Sequence, residues 1–152
     1  IGAAVGQVFY QKASEKWHQD QNLRPLLLQQ IKPMLLLGLP IFIVLGAFGP
    51  VIFGFVLGQD WAIAGHYAQL LSPWLLLNFL ISPFTTIPLI IGKQRRFFLL
   101  SLGMNISVIL AFLAGYFFYG NMTSSLIIVC LVQVLFHLYL GYWFYQISAK
   151  TP

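Results

Sequence analysis

Residues 61–96, WAIAGHYAQLLSPWLLLNFLISPFTTIPLIIGKQRR, decide the fold that this sequence predicts. His66 is the only side chain between Asp60 and Lys93 that can be charged near neutral pH. A helix over that uncharged part would be about 48 Å long, well beyond the ~30 Å hydrocarbon core of a bilayer. We therefore expect a membrane helix that tilts, bends or begins in the interface.

Three prolines interrupt the hydrogen bonding of this helix: Pro73, Pro83 and Pro88. Proline has no N–H, and hydrocarbon offers no donor in its place. Neighbouring helices or side-chain hydroxyls must therefore bind the freed carbonyls. The stretch predicts a kinked helix inside a bundle.

The composition of the whole chain is that of a membrane protein. Of its 152 residues, 59% are hydrophobic and 7% are charged, which excludes an ordinary water-soluble domain. We predict an all-α, polytopic transmembrane helix bundle. The first residues carry no charged, cleavable leader and look like the end of an interrupted helix, so we expect a C-terminal fragment of a larger protein. The single cysteine, Cys130, lies in an apolar run and is expected to be a packing residue.

Uncharged segments predict four full spans and the end of a fifth. These spans are residues 1–11, 33–58, 61–92, 97–118 and 124–147. Residues 12–24 predict a water-exposed loop, and Pro25 suits the first turn of a short interfacial helix. Leu26, Leu27 and Ile31 are then expected to rest on the membrane surface.

Two details concern the second span and the turn that follows it. Pro40 and Pro50, with five glycines along residues 33–58, predict a flexible or kinked helix. Asp60 lies in a very short turn and is expected to cap the next helix by accepting a backbone N–H.

The basic residues fall on one side of this threading. All eight lie in loops on that side or in the C-terminal tail: Lys12, Lys16, Arg24, Lys32, Lys93, Arg95, Arg96 and Lys150. The opposite turns, residues 59–60 and 119–123, contain none. The positive-inside rule therefore places the C-terminus in the cytoplasm. These cations form no dense stripe of the kind that binds nucleic acid. We expect Lys93, Arg95 and Arg96 to determine topology, with direct binding of anionic lipid as the alternative.

No catalytic constellation is present in the sequence. The three histidines are far apart and all three carboxylates lie in loops, so we expect neither an enzyme nor a protein with a metal or cofactor.

Polar residues inside the spans are the remaining candidates, because they are costly in lipid and usually face the bundle or a wet cavity. They form three helix faces: Asn78, Ser82 and Thr85; Ser101 and Asn105; and Gln133 and His137, extended by Cys130 and Gly141. The candidates for a cavity that binds a polar solute are Asn78, Ser82, Asn105, Gln133 and His137. The alternative is interhelical hydrogen bonding, worth only ~0.6 kcal/mol per bond on average. His137, near mid-span, could also titrate in response to a proton gradient or a phosphate.

Short segments in a fixed order carry a family resemblance. They are GLP (38–40), FG (53–54), GQDW (58–61), AGHYA (64–68), LSPW (71–74), ISP (81–83) and GKQ (92–94). These segments lie between residues 38 and 94, and the resemblance as a whole covers nearly the whole chain. The series resembles the C-terminal region of the bacterial polysaccharide flippases, the O-antigen, capsule and exopolysaccharide exporters of the multidrug, oligosaccharidyl-lipid and polysaccharide exporter superfamily. No single segment is specific.

The resemblance implies a bacterial inner-membrane transporter of about twelve or more helices in two lobes. Such a protein moves a polyprenyl-linked oligosaccharide to the periplasmic leaflet by alternating access. This chain would be most of the C-terminal lobe, and its partner the preceding part of the same transporter. The chain departs from expectation in one respect: no lysine or arginine lies within a predicted span, although basic residues are expected to hold the pyrophosphate.

Three other classes stay open. A polysaccharide polymerase or ligase would need a sizeable outer loop with arginines or a histidine, whereas the outward turns here are a few residues long. A multidrug or cation antiporter of the same superfamily would need carboxylates within the membrane. A small structural membrane subunit is the third.

Overall fold

The computed structural model describes residues 2–19 and 22–149, with side chains from Gly6 onward in those ranges. Its helices are α1 (Gly2–His18), α2 (Arg24–Leu57), α3 (Ala62–Ile81), α4 (Ile87–Ile90), α5 (Gln94–Tyr119) and α6 (Met122–Ile147), with 3₁₀ turns at Gln59–Trp61 and Ser82–Thr86. The part of the chain described contains no strand, which confirms the predicted all-α class.

Four helical segments within the described ranges are long and apolar enough to cross a membrane: α2, Gln59–Ile90, α5 and α6. In an apolar stretch of 18 residues within each helix, only 11% of α2 and 6% of α5 is buried. These helices therefore present apolar side chains outward. Such surfaces suit contact with lipid acyl chains. The chain is a multi-pass membrane protein.

The long helices pair as two hairpins. α2 packs chiefly on α3, α5 packs on α6, and the two hairpins meet where α3 packs on α6. We call this contact the α3–α6 seam. α1 packs on the 3₁₀ turn between α3 and α4, and on α4 itself.

Each hairpin closes on a glycine that a larger residue could not replace. A methyl group on Gly49 of α2 would collide with the carbonyl oxygen of Gly65 of α3, and a methyl group on Gly65 would collide with that of Gly49. Gly115 of α5 stands equally close to the backbone of Ser125 in α6. Small residues let membrane helices approach until their backbones touch.

The predicted kink of the second span is confirmed near Pro50. Phe48, two residues earlier, has φ −126° and ψ 15°, which are not helical values. The predicted break in residues 61–92 is also confirmed, because a 3₁₀ turn separates α3 from α4.

Hydroxyl groups satisfy the backbone at this break. Pro83 has no N–H for the carbonyl of Phe79, and the Ser82 hydroxyl donates to that carbonyl at 3.1 Å. Thr85 and Thr86 also donate their hydroxyls to the carbonyls three residues earlier, at 2.7 and 3.1 Å, but these are the carbonyls of Ser82 and Pro83, which no proline leaves without a donor. The prediction that a side-chain hydroxyl takes up the freed carbonyl is confirmed for Pro83.

α1 is longer than predicted. It continues to His18, so residues 12–18, predicted as a loop, are helical. Phe9 and Ala13 are buried, and Trp17 packs against the same core, which gives α1 an apolar stripe with a spacing of four. The Phe9 ring meets Phe84 edge-on, with centroids 5.0 Å apart.

The start of α2 corrects a second prediction. Pro25 lies in the first turn as predicted, but no short interfacial helix precedes the span, because α2 runs from Arg24 to Leu57. Leu26 and Leu27 were expected on the membrane surface and are instead buried in the core, together with Leu23. They pack with aromatic side chains from the end of α6.

The turns before α3 and before α6, at the other end of the bundle, also differ from expectation. Asp60 does not cap α3, which begins at Ala62 without a side-chain cap. The turn around Asp60 is closed by the backbone, since the N–H of Trp61 donates to the carbonyl of Gly58 at 3.0 Å. Asn121 is the residue that caps a helix here, because its Oδ1 accepts the N–H of Ser124 in α6 at 2.8 Å.

Candidate functional site

A cluster of polar groups lies at mid-depth where α3, α5 and α6 meet. Gln133 and His137 are within one turn of the middle of α6, and Ser107 is at the middle of α5. Asn78 is one turn from the middle of Gln59–Ile90. Both Gln133 and His137 are buried, with exposures of 1% and 3%. We call these four residues the mid-membrane cluster.

Gln133 fastens α6 to α5. Its Nε2 donates to the carbonyl of Met104 at 3.2 Å and lies 3.5 Å from the hydroxyl oxygen of Ser107. The Ser107 hydroxyl in turn donates to the Met104 carbonyl at 2.7 Å. For Gln133 this is the interhelical hydrogen bonding that the sequence left as an alternative.

His137 links α6 to α3 across the α3–α6 seam. Its Nδ1 lies 2.8 Å from the carbonyl of Gln133, and its Nε2 lies 3.4 Å from Oδ1 of Asn78. A backbone carbonyl can only accept, so Nδ1 carries a hydrogen in this geometry. Trp74 lies beside the ring, with centroids 6.5 Å apart.

That assignment determines what Asn78 presents to the ring. In a neutral imidazole with hydrogen on Nδ1, Nε2 is an acceptor and requires the NH₂ of Asn78. In an imidazolium, Nε2–H is a donor and requires Oδ1. A half-turn of the Asn78 amide converts one arrangement into the other, so the pair can follow a change of protonation without moving a helix.

Asn78 and Gln133 differ in exposure, although both lie at mid-depth. Gln133 is enclosed, whereas Asn78 is exposed on α3. An exposed amide at the depth of the hydrocarbon core is costly unless it faces a wet cavity or another protein surface. Asn78 is therefore the exposed member of the His137–Asn78 pair, and its amide requires a wet cavity or a further protein surface beside it.

Two of the predicted cavity residues, Ser82 and Asn105, form hydrogen bonds to their own helix and not to this cluster. Ser82 is exposed, and its hydroxyl is occupied by the carbonyl of Phe79 in its own helix. Asn105 is exposed, and its Nδ2 donates to the carbonyl of Ser101, also in its own helix, at 2.8 Å. Their role as cavity residues stays a prediction, and within the described ranges neither makes the interhelical bond that was its alternative.

Sequence reasoning missed Ser107 and Trp74. Ser107 lies off the face marked by Ser101 and Asn105, and only its partner on α6 reveals its role. The indole Nε1 of Trp74 is buried with no hydrogen-bond partner among the described residues. The remaining members of the α6 stripe pack, since Cys130 is buried and Gly141 faces the side chain of Ile81.

An apolar cleft opens beside the cluster. It has a volume of about 350 Å³ and is lined only by apolar surface of α3, α5 and α6, with Leu71, Phe112 and Val129 among its walls. Trp74 lies between the cleft and His137.

Charged side chains gather at one end of the bundle, where α2 and α5 begin and α6 ends; we call it the basic end. Lys93, Arg95 and Arg96 are exposed, and the Arg96 guanidinium lies 5.6 Å from the centroid of the Trp143 ring. Arg24 joins the start of α2 to the end of α6, since its Nε donates to the carbonyl of Tyr145 at 3.0 Å and its guanidinium stacks on the Tyr145 ring at 4.3 Å. Lys150 lies outside the described residues.

The cluster joins three helices by hydrogen bonds, and the residues described bring no assembled nucleophile to it. The described residues include no group of three or more His, Cys, Asp or Glu side chains that could hold a metal ion. The two carboxylates described, Glu15 and Asp60, lie in α1 and in the turn before α3. Neither belongs to the mid-membrane cluster.

No family model, no curated protein and no solved structure matches this chain significantly. The class that the fold defines is therefore a multi-pass α-helical membrane protein with a polar cluster at mid-depth.

Proposed function

We propose that this chain is most of the C-terminal lobe of a bacterial inner-membrane transporter. It would move polyprenyl-linked oligosaccharide units from the cytoplasmic to the periplasmic leaflet by alternating access, with the preceding part of the same transporter as its partner lobe. The ordered segments that resemble polysaccharide flippases support the family and the substrate class. The architecture supports a transporter in general, because discontinuous helices and polar groups at the midplane are typical of such proteins.

The observation that carries the proposal is the exposed amide of Asn78 beside His137. At this depth a polar group without water or a partner costs free energy, and ionisable groups in spans commonly mark a solute or proton path. The α3–α6 seam also joins the two hairpins, so a movement of one hairpin against the other changes the distance between these two side chains. We infer that the seam borders the path of the oligosaccharide.

The distribution of cations supports a cytoplasmic location for the basic end. The seven cations of the described ranges lie in the second half of α1 (Lys12 and Lys16), in the first three turns of α2 (Arg24 and Lys32) and from the turn before α5 into its first turn (Lys93, Arg95 and Arg96). Arg24 also connects the start of α2 to the end of α6. Positively charged loops are retained in the cytoplasm. The turns at Asp60 and Asn121 would then face the periplasm.

Cysteine labelling tests this orientation. Because Cys130 is the single cysteine and is buried, a Cys130→Ala background can carry one new thiol at a time. A membrane-impermeant maleimide should label Asp60→Cys in intact spheroplasts and Gln94→Cys only after permeabilisation. The reverse pattern would contradict the proposed topology and the direction of transport.

A deletion strain tests the transport itself. In a strain that lacks the gene for the whole protein, we expect lipid-linked oligosaccharide to accumulate on the inner leaflet, and the intact gene should restore surface glycan. Asn78→Leu should restore it poorly. Asn78→Gln is the matched control, because it keeps an amide at the same position of α3 and should restore surface glycan.

Two results would refute the proposal. The first is normal surface glycan in the deletion strain with no second exporter present. The second is equal restoration by Asn78→Leu and Asn78→Gln, which would show that transport does not need an amide at the α3–α6 seam. His137→Gln adds a finer test: if His137 takes no proton, transport by this variant should keep the pH dependence of the wild type.

A further inference from the structure

Lys32 lies within an outward-facing apolar stripe of α2. Leu28 and Leu36, one turn before and one turn after it, are 52% and 80% exposed, and Leu35 and Leu39 continue the same face. Lys32 is itself exposed. A cation in such a stripe cannot stay at the depth of the leucines, so its stem must follow the helix and carry the ammonium to the headgroup region.

The chain supplies no counter-ion for this lysine among the residues described. Glu15 lies 3.4 Å from the side-chain amide of Gln11 in α1, and Asp60 is in the turn at the other end of α2. The remaining carboxylate, Asp20, lies outside the described ranges. Several further cations share the end of the bundle at which Lys32 lies, and they favour an anion there.

A shallow cleft continues from Lys32 toward the middle of the membrane. It has a volume of about 240 Å³, and its walls are Lys32, Leu35, Leu36, Leu39 and Pro40. The polar group is at the end nearest the headgroups and the apolar surface runs away from it. This is the order of chemical groups in a phospholipid: a phosphate first, and acyl carbon after it.

We propose that this cleft binds an anionic phospholipid, with the headgroup phosphate on the Lys32 ammonium and one acyl chain along Leu35, Leu36 and Leu39. The charge of Lys32 selects an anionic headgroup over a zwitterionic one, and the leucines supply contact area that a soluble phosphate would not use. The site is on α2, away from the α3–α6 seam, so it does not depend on the proposed transport function. It is also separate from Lys93, Arg95 and Arg96.

A tryptophan reporter at the cleft tests this binding in the full chain. Leu36 is highly exposed, so Leu36→Trp should be tolerated, and the four native tryptophans are subtracted with the parent protein. The protein is reconstituted in vesicles of phosphatidylcholine and phosphatidylglycerol, with bromine on the chains of either lipid. Quenching of the added tryptophan then reports which lipid occupies the cleft.

We expect brominated phosphatidylglycerol to quench the reporter at a lower mole fraction than brominated phosphatidylcholine. Lys32→Gln should reduce that preference about fivefold, the equivalent of the ~1 kcal/mol that one basic residue contributes near an anionic surface. Lys32→Arg should keep it. Lys93→Gln is the matched control, because it removes one positive charge from the same end of the bundle, and it should leave the preference unchanged.

Three outcomes would overturn the proposal. Equal preference before and after Lys32→Gln would exclude a role for this ammonium. Equal losses in Lys32→Gln and Lys93→Gln would assign the preference to the general surface potential instead of a site. No quenching by either brominated lipid would show that protein, not lipid, covers this face of α2.

Discussion

The crossing of α2 and α3 gives the most quantitative prediction, through Gly65→Ala. A Cβ at Gly65 would collide with the carbonyl oxygen of Gly49 and would lie 2.7 Å from the Cα of Pro50. Both atoms belong to the backbone of a helix, so no side-chain rotation can relieve the contact. The two helices must separate instead.

The magnitude follows from these distances. Ordinary van der Waals contact begins near 3.4 Å, so the Cα of Pro50 must retreat by about 0.7 Å. A gap of 0.5–1 Å forfeits roughly a quarter to a half of each dispersion contact, and overpacking of this kind typically costs about 1–3 kcal/mol. We expect Gly65→Ala to lower the free energy of unfolding by that amount.

Unfolding by SDS in mixed micelles, followed by circular dichroism, measures this change. Gly103→Ala is the control, because a Cβ at Gly103 in α5 meets nothing within 4 Å. That variant should be as stable as the wild type or up to about 1 kcal/mol more stable, since alanine is the better helix former. Equal stability of the two variants would refute the direct backbone contact at this crossing.

Three further predictions use the same unfolding assay or hydrogen exchange. Gln133→Leu should cost about 0.6–1.7 kcal/mol by removing the bond to α5, whereas Asn105→Leu should cost little; equal costs would contradict the interhelical role of Gln133. Ser82→Ala should destabilise the wild type but not the Pro83→Ala protein, where a restored N–H can serve the Phe79 carbonyl; additive effects in this double-mutant cycle would exclude the compensation. Arg24→Gln should accelerate amide exchange at the end of α6 by loosening its contact with Tyr145, and unchanged exchange there would show that the contact does not hold the helix.

Hydropathy predicts where the spans lie because the transfer of an apolar segment into lipid depends on its length and composition. The break near Pro83 follows from the same local chemistry, and so does its repair by Ser82. The extension of α1 was missed because charged residues after Gln11 indicate water, and water does not exclude a helix. Its stripe at Phe9, Ala13 and Trp17 was the available signal.

Hydropathy could not predict which face of each span packs against the other helices, because membrane helices are apolar on all sides. The sequence placed Asn78 and Ser82 on one face, yet the first bonds to His137 and the second to its own helix. Ser107 gave no signal of its own for the same reason. Only the partner helix determines which polar side chain is buried, and that partner is distant in sequence.

The way α6 completes the basic end has a consequence for biosynthesis. Leu23 donates its N–H to the carbonyl of Ser148, and Trp143 and Phe144 belong to the same hydrophobic core as Leu23, Leu26 and Leu27. During translation these aromatic residues leave the ribosome long after α2 and α3 have entered the bilayer. The early hairpin must therefore wait with its inner leucines uncovered, and a stalled or truncated nascent chain that stops before Trp143 should be a preferred substrate for membrane quality-control proteases.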